Sequence, residues 1–220
     1  MAVIASAAFI LIAVSAFRRD STASTNDPHS GTGGYGLIVE SLLPIVHDPN
    51  TPEGREALNL FDLDPTVRFE PLRLLAGDDA SCLNLYEPRN PRILAANQSF
   101  VRERRFAFQS SLATTDEERA NPWLLLERVE PDGTVPVIAD ANSMTYVLHK
   151  KLGEDIVLPR GDREIRLRLV AALSDSIFQG ELLMAEQPFS KLFPDQQGYQ
   201  VLLVSAGHET AATLKATLEE

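Results

Sequence analysis

The chain has one cysteine, Cys82, in 220 residues, so it has no internal disulfide and no cysteine-built zinc site. A lone thiol leaves the redox compartment open, and its simplest reading is a small buried apolar residue. The sequence also has no block of lysine and arginine. The densest basic cluster is Arg102, Arg104 and Arg105, a pattern that reads as a solvated strand face. The formal charge of −11 is spread along the chain and repels phosphate backbones, which argues against nucleic-acid binding. The four histidines, His29, His47, His149 and His208, lack the spacing that brings two ligands onto one metal. There is no Gly-x-Ser-x-Gly turn to expose a serine nucleophile, so Ser143 and Ser176 carry no hydrolase signature. Asp62 and Asp64 could divide acid and base roles, but a solvated helix end before Pro65 explains them better. The chain therefore offers no catalytic residue, no cofactor-binding residue and no metal ligand.

One uncharged stretch stands out against this background. Ala2 to Phe17 contains only apolar residues and two serines, and Arg18-Arg19-Asp20 ends it. As a helix it would span roughly 24 Å, short of the ~30 Å hydrocarbon core. A signal peptide is one reading, although no basic region precedes it and Ala13-Val14-Ser15-Ala16 is a weak cleavage site. The outer part of a transmembrane helix that starts before Met1 is the favoured one, although arginines on the outer side run against the positive-inside tendency. A buried core helix would ordinarily carry a polar stripe, which this segment lacks. Ser21 to Gly36 then reads as a flexible linker. Its Gly31, Gly33 and Gly36 have dinucleotide-turn spacing, but a polar coil precedes them where that chemistry needs a buried strand.

From Leu37 the pattern is that of an α+β domain. Leu37 to Val46 and Val67 to Leu75 read as strands around a helix capped by Thr51, with Leu58 and Phe61 facing inwards. That order suggests a βαβ or split βαβ unit. Asp78 to Gln109 is rich in turn residues, Thr115 and Glu118 have capping-box spacing, and Trp123 to Val129 suits a buried strand. VPVIAD is a strand ending at Asp140, a good N-cap for a helix carrying Met144, Val147, Leu148 and Leu152 until Gly153 stops it. EDIVLP, REIRLRLVAAL, LLMAE and YQVLLVS continue as strands, with a short helix at Pro188 to Phe193 and a last one at His208 to Leu218.

The segment from Val135 to Val204, with Leu152-Gly153-Glu154-Asp155-Ile156 at its centre and Val170-Ala171-Ala172 and Gly180 after it, resembles the extracytoplasmic region of FtsX-like ABC transporter permeases, the group that includes MacB-type exporters. The resemblance covers the C-terminal two fifths well and the remainder through its layout; the long, proline-rich middle departs from it. It implies a partial transmembrane helix at 1–17, a linker at 18–36, a membrane-proximal α/β lobe from 37–77 and 197–220, and an inserted β-rich lobe at 78–196. It also implies placement at the inner membrane with residues after about 18 on the periplasmic side, coupling to an ABC ATPase, an extracytoplasmic partner protein and a homodimer in the full protein. The chain would then be a fragment that stops where a further membrane helix follows. A signal-anchored ligand-binding protein is the alternative, and a hydrolase a more distant one. The one surface singled out for partner contact is the loop Ile177, Phe178 and Gln179, provided the Phe178 ring is exposed.

Overall fold

The computed structural model describes residues 11–13, 27–60, 63–77, 90–161 and 163–205, the first three by their backbone. Predicted features at Phe61, Asp62, Cys82 and His208–Leu218 lie outside these residues.

The first half is built on β2 (Leu37–Ile45), α1 (Pro52–Ala57) and β3 (Arg68–Leu75), numbered after a short β1 (Leu11–Ala13). Thr51 Oγ1 accepts the Gly54 amide and Pro52 opens α1, as the capping signal predicts. Both β2 and β3 pair antiparallel with β10 (Tyr199–Ser205), which lies between them. This is the split βαβ arrangement. Val39, Phe69, Leu202 and Val204 of these strands close over Leu60 and Val67 as one apolar cluster.

Three residues of the apolar N-terminal run fall among those described, and they correct the helix expected there. Leu11–Ala13 is extended and pairs antiparallel with β2, Leu11 opposite Ser41. Among the described residues no helix is long and apolar enough to cross a membrane.

The second half contains β4 (Arg92–Ala96), α2 (Gln98–Arg102), β5 (Phe108–Ser111), α3 (Asp116–Ala120), β6 (Val135–Asp140), α4 (Ala141–Tyr146), β7 (Asp155–Arg160), β8 (Arg163–Leu173), β9 (Glu181–Ala185) and α5 (Glu186–Leu192). The sheet runs β1-β2-β10-β3-β4-β9-β6-β8-β5, with β7 alongside β8. β3 belongs to both halves: Arg68–Leu72 pairs with β10 and Arg73–Leu75 with β4. β4 with β9 and β6 with β8 are parallel pairs covered on both faces. Successive residues therefore alternate between two cores. Leu94, Ile138, Val170 and Leu183 face Phe100, Phe106 and Trp123, whereas Ile93, Val137, Leu169 and Leu182 face Met144, Leu148, Phe189 and Phe193.

Two local expectations are corrected. The apolar run after Asn121 is a 3-10 helix over Pro122–Glu127, with Trp123, Leu125 and Leu126 buried and Val129 beyond it 93% exposed. α4 stops at Tyr146, because the Leu148 and Lys150 amides close wide turns onto Ser143 O and Met144 O and His149 turns left-handed at φ 50°. Leu148 remains buried, but Val147 faces outward.

Candidate functional site

The Ser174–Gly180 loop is where partner contact is expected, and the structure turns that expectation inside out. Phe178 is 1% exposed and sits within 5.1 Å of Phe106 and 6.4 Å of Phe100, ring to ring. Burying such a side chain is worth ~2 kcal/mol, more than its flanking polar residues can offset by pulling the loop outward. Ile177 packs partly against the same core and Gln179 is exposed. The loop is therefore a core plug, not an apolar contact surface.

Asp140 holds that plug. It is fully buried; its Oδ1 accepts the Asn142 and Ser143 amides at the start of α4, and its Oδ2 accepts the Ser176 amide at 2.7 Å and the Ser176 hydroxyl at 3.0 Å. Ser143 Oγ in turn accepts the Gly180 amide at 2.7 Å. One carboxylate thus receives four neutral donors, with no cation paired to it among the described residues, a helix N-cap extended into a loop clamp. Both serines are occupied structurally, with neither positioned as an activated nucleophile.

The glycine-rich stretch completes this end of the core. Where a flexible linker is expected, Asp27 to Tyr35 forms successive turns, and the Ile177 amide donates to Gly31 O. A Cβ on Gly31 would lie 2.0 Å from Asp175 O, and Gly33, at φ 63°, lies flat against the Phe106 ring. The glycines serve close packing, not phosphate binding. Tyr35 is buried beneath the Arg105 guanidinium, which also reaches Gly33 O and Glu103. Burial and the neighbouring Glu103 carboxylate push the Tyr35 phenol far above its usual range. Arg105 is thereby committed inside the fold, while Arg102 and Arg104 are exposed, so the three arginines form no common patch.

Four surface features remain. The chain enters β2 and leaves β10 at one sheet end, where the Gly36 amide donates to Val204 O at 2.9 Å and Leu37 stands opposite Val204. At the far end of β2 the register slips: β2 advances from Glu40 to Ile45 while β10 advances only from Val201 to Tyr199. The resulting bulge leaves Leu42 and Leu43 exposed. An open groove of about 860 Å³ lies between the start of α2, the loop after the 3-10 helix and α5, with Val101, Leu126 and Pro136 among its walls and Glu127 and Lys191 on its rim.

The fourth feature is a charged seam between the two halves of the sheet. Arg92 Nη1 and Nη2 donate to Glu40 Oε1 and Oε2 at 3.1 and 2.8 Å. Its Nε lies 2.7 Å from Glu181 Oε1, an ion contact without the alignment of a hydrogen bond. Burial pushes the Glu181 carboxyl up to about 7 although Arg92 pulls the other way. At the other end of β9 Arg73 Nε donates to Glu186 at 2.6 Å and stacks over Tyr199. A second buried carboxyl, Glu70, is also pushed up to about 7 by burial, against hydrogen bonds from Asn97 and Ser99.

No protein-family model matches the chain, and no curated protein does. Several solved structures are distantly similar, among them two transporter domains. The extracellular domain of the noncanonic ABC-type transporter YknZ from Gram-positive bacteria aligns at TM-score 0.34 and 12% identity, over 74% of this chain and 76% of that one. The periplasmic region of MacB from Actinobacillus actinomycetemcomitans aligns at TM-score 0.34 and 10% identity, over 81% and 77%.

Among the described residues no group of three or more histidine, cysteine, aspartate or glutamate side chains is placed to hold a metal ion. None of the sequence motifs singles out the seam or the groove. Glu40, Arg92 and Glu181 are far apart in the chain and ordinary in composition, and only strand pairing brings them together.

Proposed function

We propose that this chain is the extracytoplasmic domain of an ABC transporter permease of the FtsX-like, MacB-type group. In that role it is not an enzyme. It transmits ATP-driven movement of membrane helices to an exported substrate or to a partner protein outside the membrane. The observation that carries the reading is the neighbouring entry and exit at Leu37 and Val204. A domain inserted between two membrane helices needs its chain ends side by side on one face, and the split βαβ unit provides that while the second half grows from the opposite ends of β3 and β10. The sequence resemblance over Val135–Val204 points the same way. The lobe division at 37–77 with 197–220, the periplasmic placement at the inner membrane, the ATPase partner and a homodimer belong to this proposal.

The open groove favours one second reading, a singly anchored protein that captures a ligand, since its volume falls within the range of small-molecule sites. Sequencing the parent gene through both ends separates the two. Apolar segments of about twenty residues before and after this chain are expected for a permease. A stop codon directly after Glu220 with a basic start before Met1 would sink the transport reading.

A further inference from the structure

We propose that Glu40, Arg92 and Glu181 form a proton-gated latch that ties the β2 side of the sheet to its β4–β9 side. Arg92 opens β4 and is the register partner of Glu181 on β9, so those two residues are held together by main-chain pairing. Glu40 has no such constraint. It comes from β2, which β10 and β3 separate from β4 in the sheet, so the Arg92–Glu40 ion pair is a side-chain tie between halves.

The site contains two carboxylates for one guanidinium. With both ionised it carries one excess negative charge, and its three side chains are 18 to 37% exposed, too enclosed for water to screen them fully. Glu181 is the least exposed and approaches Arg92 at 2.7 Å off the hydrogen-bonding direction, whereas Glu40 holds both terminal nitrogens. A proton added to a Glu181 carboxyl oxygen leaves a one-to-one pair, and the guanidinium then belongs to Glu40 alone. Loss of that proton draws Arg92 back towards Glu181 and loosens the tie. The strong upward displacement of the Glu181 carboxyl, caused first by burial, places the exchange near neutral pH.

Among the described residues the charged groups facing Glu181 are Arg92 from β4 and Glu40 from β2. On β6, Asp140 is occupied by the amides of Asn142, Ser143 and Ser176. On β3 and α5, Arg73 and Glu186 satisfy each other. The contacts define the latch whether or not the chain serves a transporter.

The test uses the full chain with Cys82→Ser and spin labels at two exposed positions, Leu43 on β2 and Val157 on β7. Pulsed electron spin resonance then gives the distance distribution between halves from pH 5 to 8.5. In the parent the distribution should broaden as pH rises, with a midpoint near 7, the value to which Glu181 is displaced. Glu181→Gln should stay narrow throughout and Glu40→Gln broad throughout. A parent distribution that does not change with pH, or a Glu181→Gln variant that titrates like the parent, overturns the latch. Carboxyl-carbon NMR of Glu181 adds a reading independent of the labels: titration near 4.5, the ordinary glutamate value, would equally end it.

Discussion

Two acidic residues near one another in the sheet, Asp140 at the end of β6 and Glu181 at the start of β9, are held in opposite ways. Asp140 is fully buried and accepts four neutral donors, all from α4 or the Ser174–Gly180 loop. Glu181 has a full cation beside it and shares that cation with Glu40. Fixed amides aimed at a carboxylate stabilise one geometry and leave no alternative partner. A guanidinium between two carboxylates offers two arrangements of similar energy. The first site suits a rigid corner of the core, the second a joint.

The strongest way to break the comparison is to remove the better-satisfied acid. Asp140→Ala strips acceptors from three buried or half-buried amides and the Ser176 hydroxyl and uncaps α4. A loss of about 3 kcal/mol is expected, with Phe178 becoming exposed to quenchers. Thermal or denaturant unfolding, read alongside near-ultraviolet dichroism, checks it; a loss below about 1 kcal/mol would show that water replaces the clamp. Ser143→Ala probes the same corner through the Gly180 amide alone, and about 1 kcal/mol is expected.

Arg92→Met attacks the other site. It leaves Glu40 and Glu181 facing each other without a cation, while methionine preserves most of the packed stem. Partial solvent access moderates the cost to about 2 kcal/mol at pH 8. At pH 5 Glu181 is mostly protonated and the cost should fall by at least half. A cost independent of pH would mean that Arg92 contributes through packing alone.

The strand framework was legible because alternation reports it directly. β8 runs from Arg163 to Leu173, the span its alternating first half and apolar second half outline, and Thr115 with Glu118 forms the expected capping box. Asp140 was readable as an N-cap, but its second role, clamping Ser176, depends on a loop 36 residues away. Pro122–Glu127 was misread because a short apolar run with Trp123, Leu125 and Leu126 inside does not distinguish a strand from a tight helix. Phe178 was readable equally as a surface or a core residue, because serine, aspartate, glutamine and glycine surround it. Of those neighbours only Ser176 follows the ring inwards, its amide and hydroxyl both taken up by Asp140, while Asp175, Gln179 and Gly180 stay at the surface. The seam was invisible for a simpler reason: Glu40 and Arg92 are 52 residues apart and no periodicity links them.

The smallest expected effect is the most informative about the joint. A carboxyl whose folded-state pKa is raised from 4.5 to about 7 binds more protons in the native than in the unfolded state between those values. Its contribution is therefore fully present below about 4.5, and stability is lost as pH rises through 7. Glu181→Gln removes that loss while keeping an amide oxygen near Arg92, so the variant should gain about 1 kcal/mol over the parent at pH 8 and nothing at pH 4.5, allowing for residual solvent access. Glu70 titrates in the same window for the same reason, burial, but its hydrogen-bonding neighbours are Ser99 and Asn97 rather than a shared cation. Glu70→Gln should therefore flatten the pH–stability curve by a similar amount and leave the Leu43–Val157 distance distribution unchanged. If Glu70→Gln narrowed that distribution as Glu181→Gln should, the motion would follow overall stability, and the shared guanidinium would lose its special place.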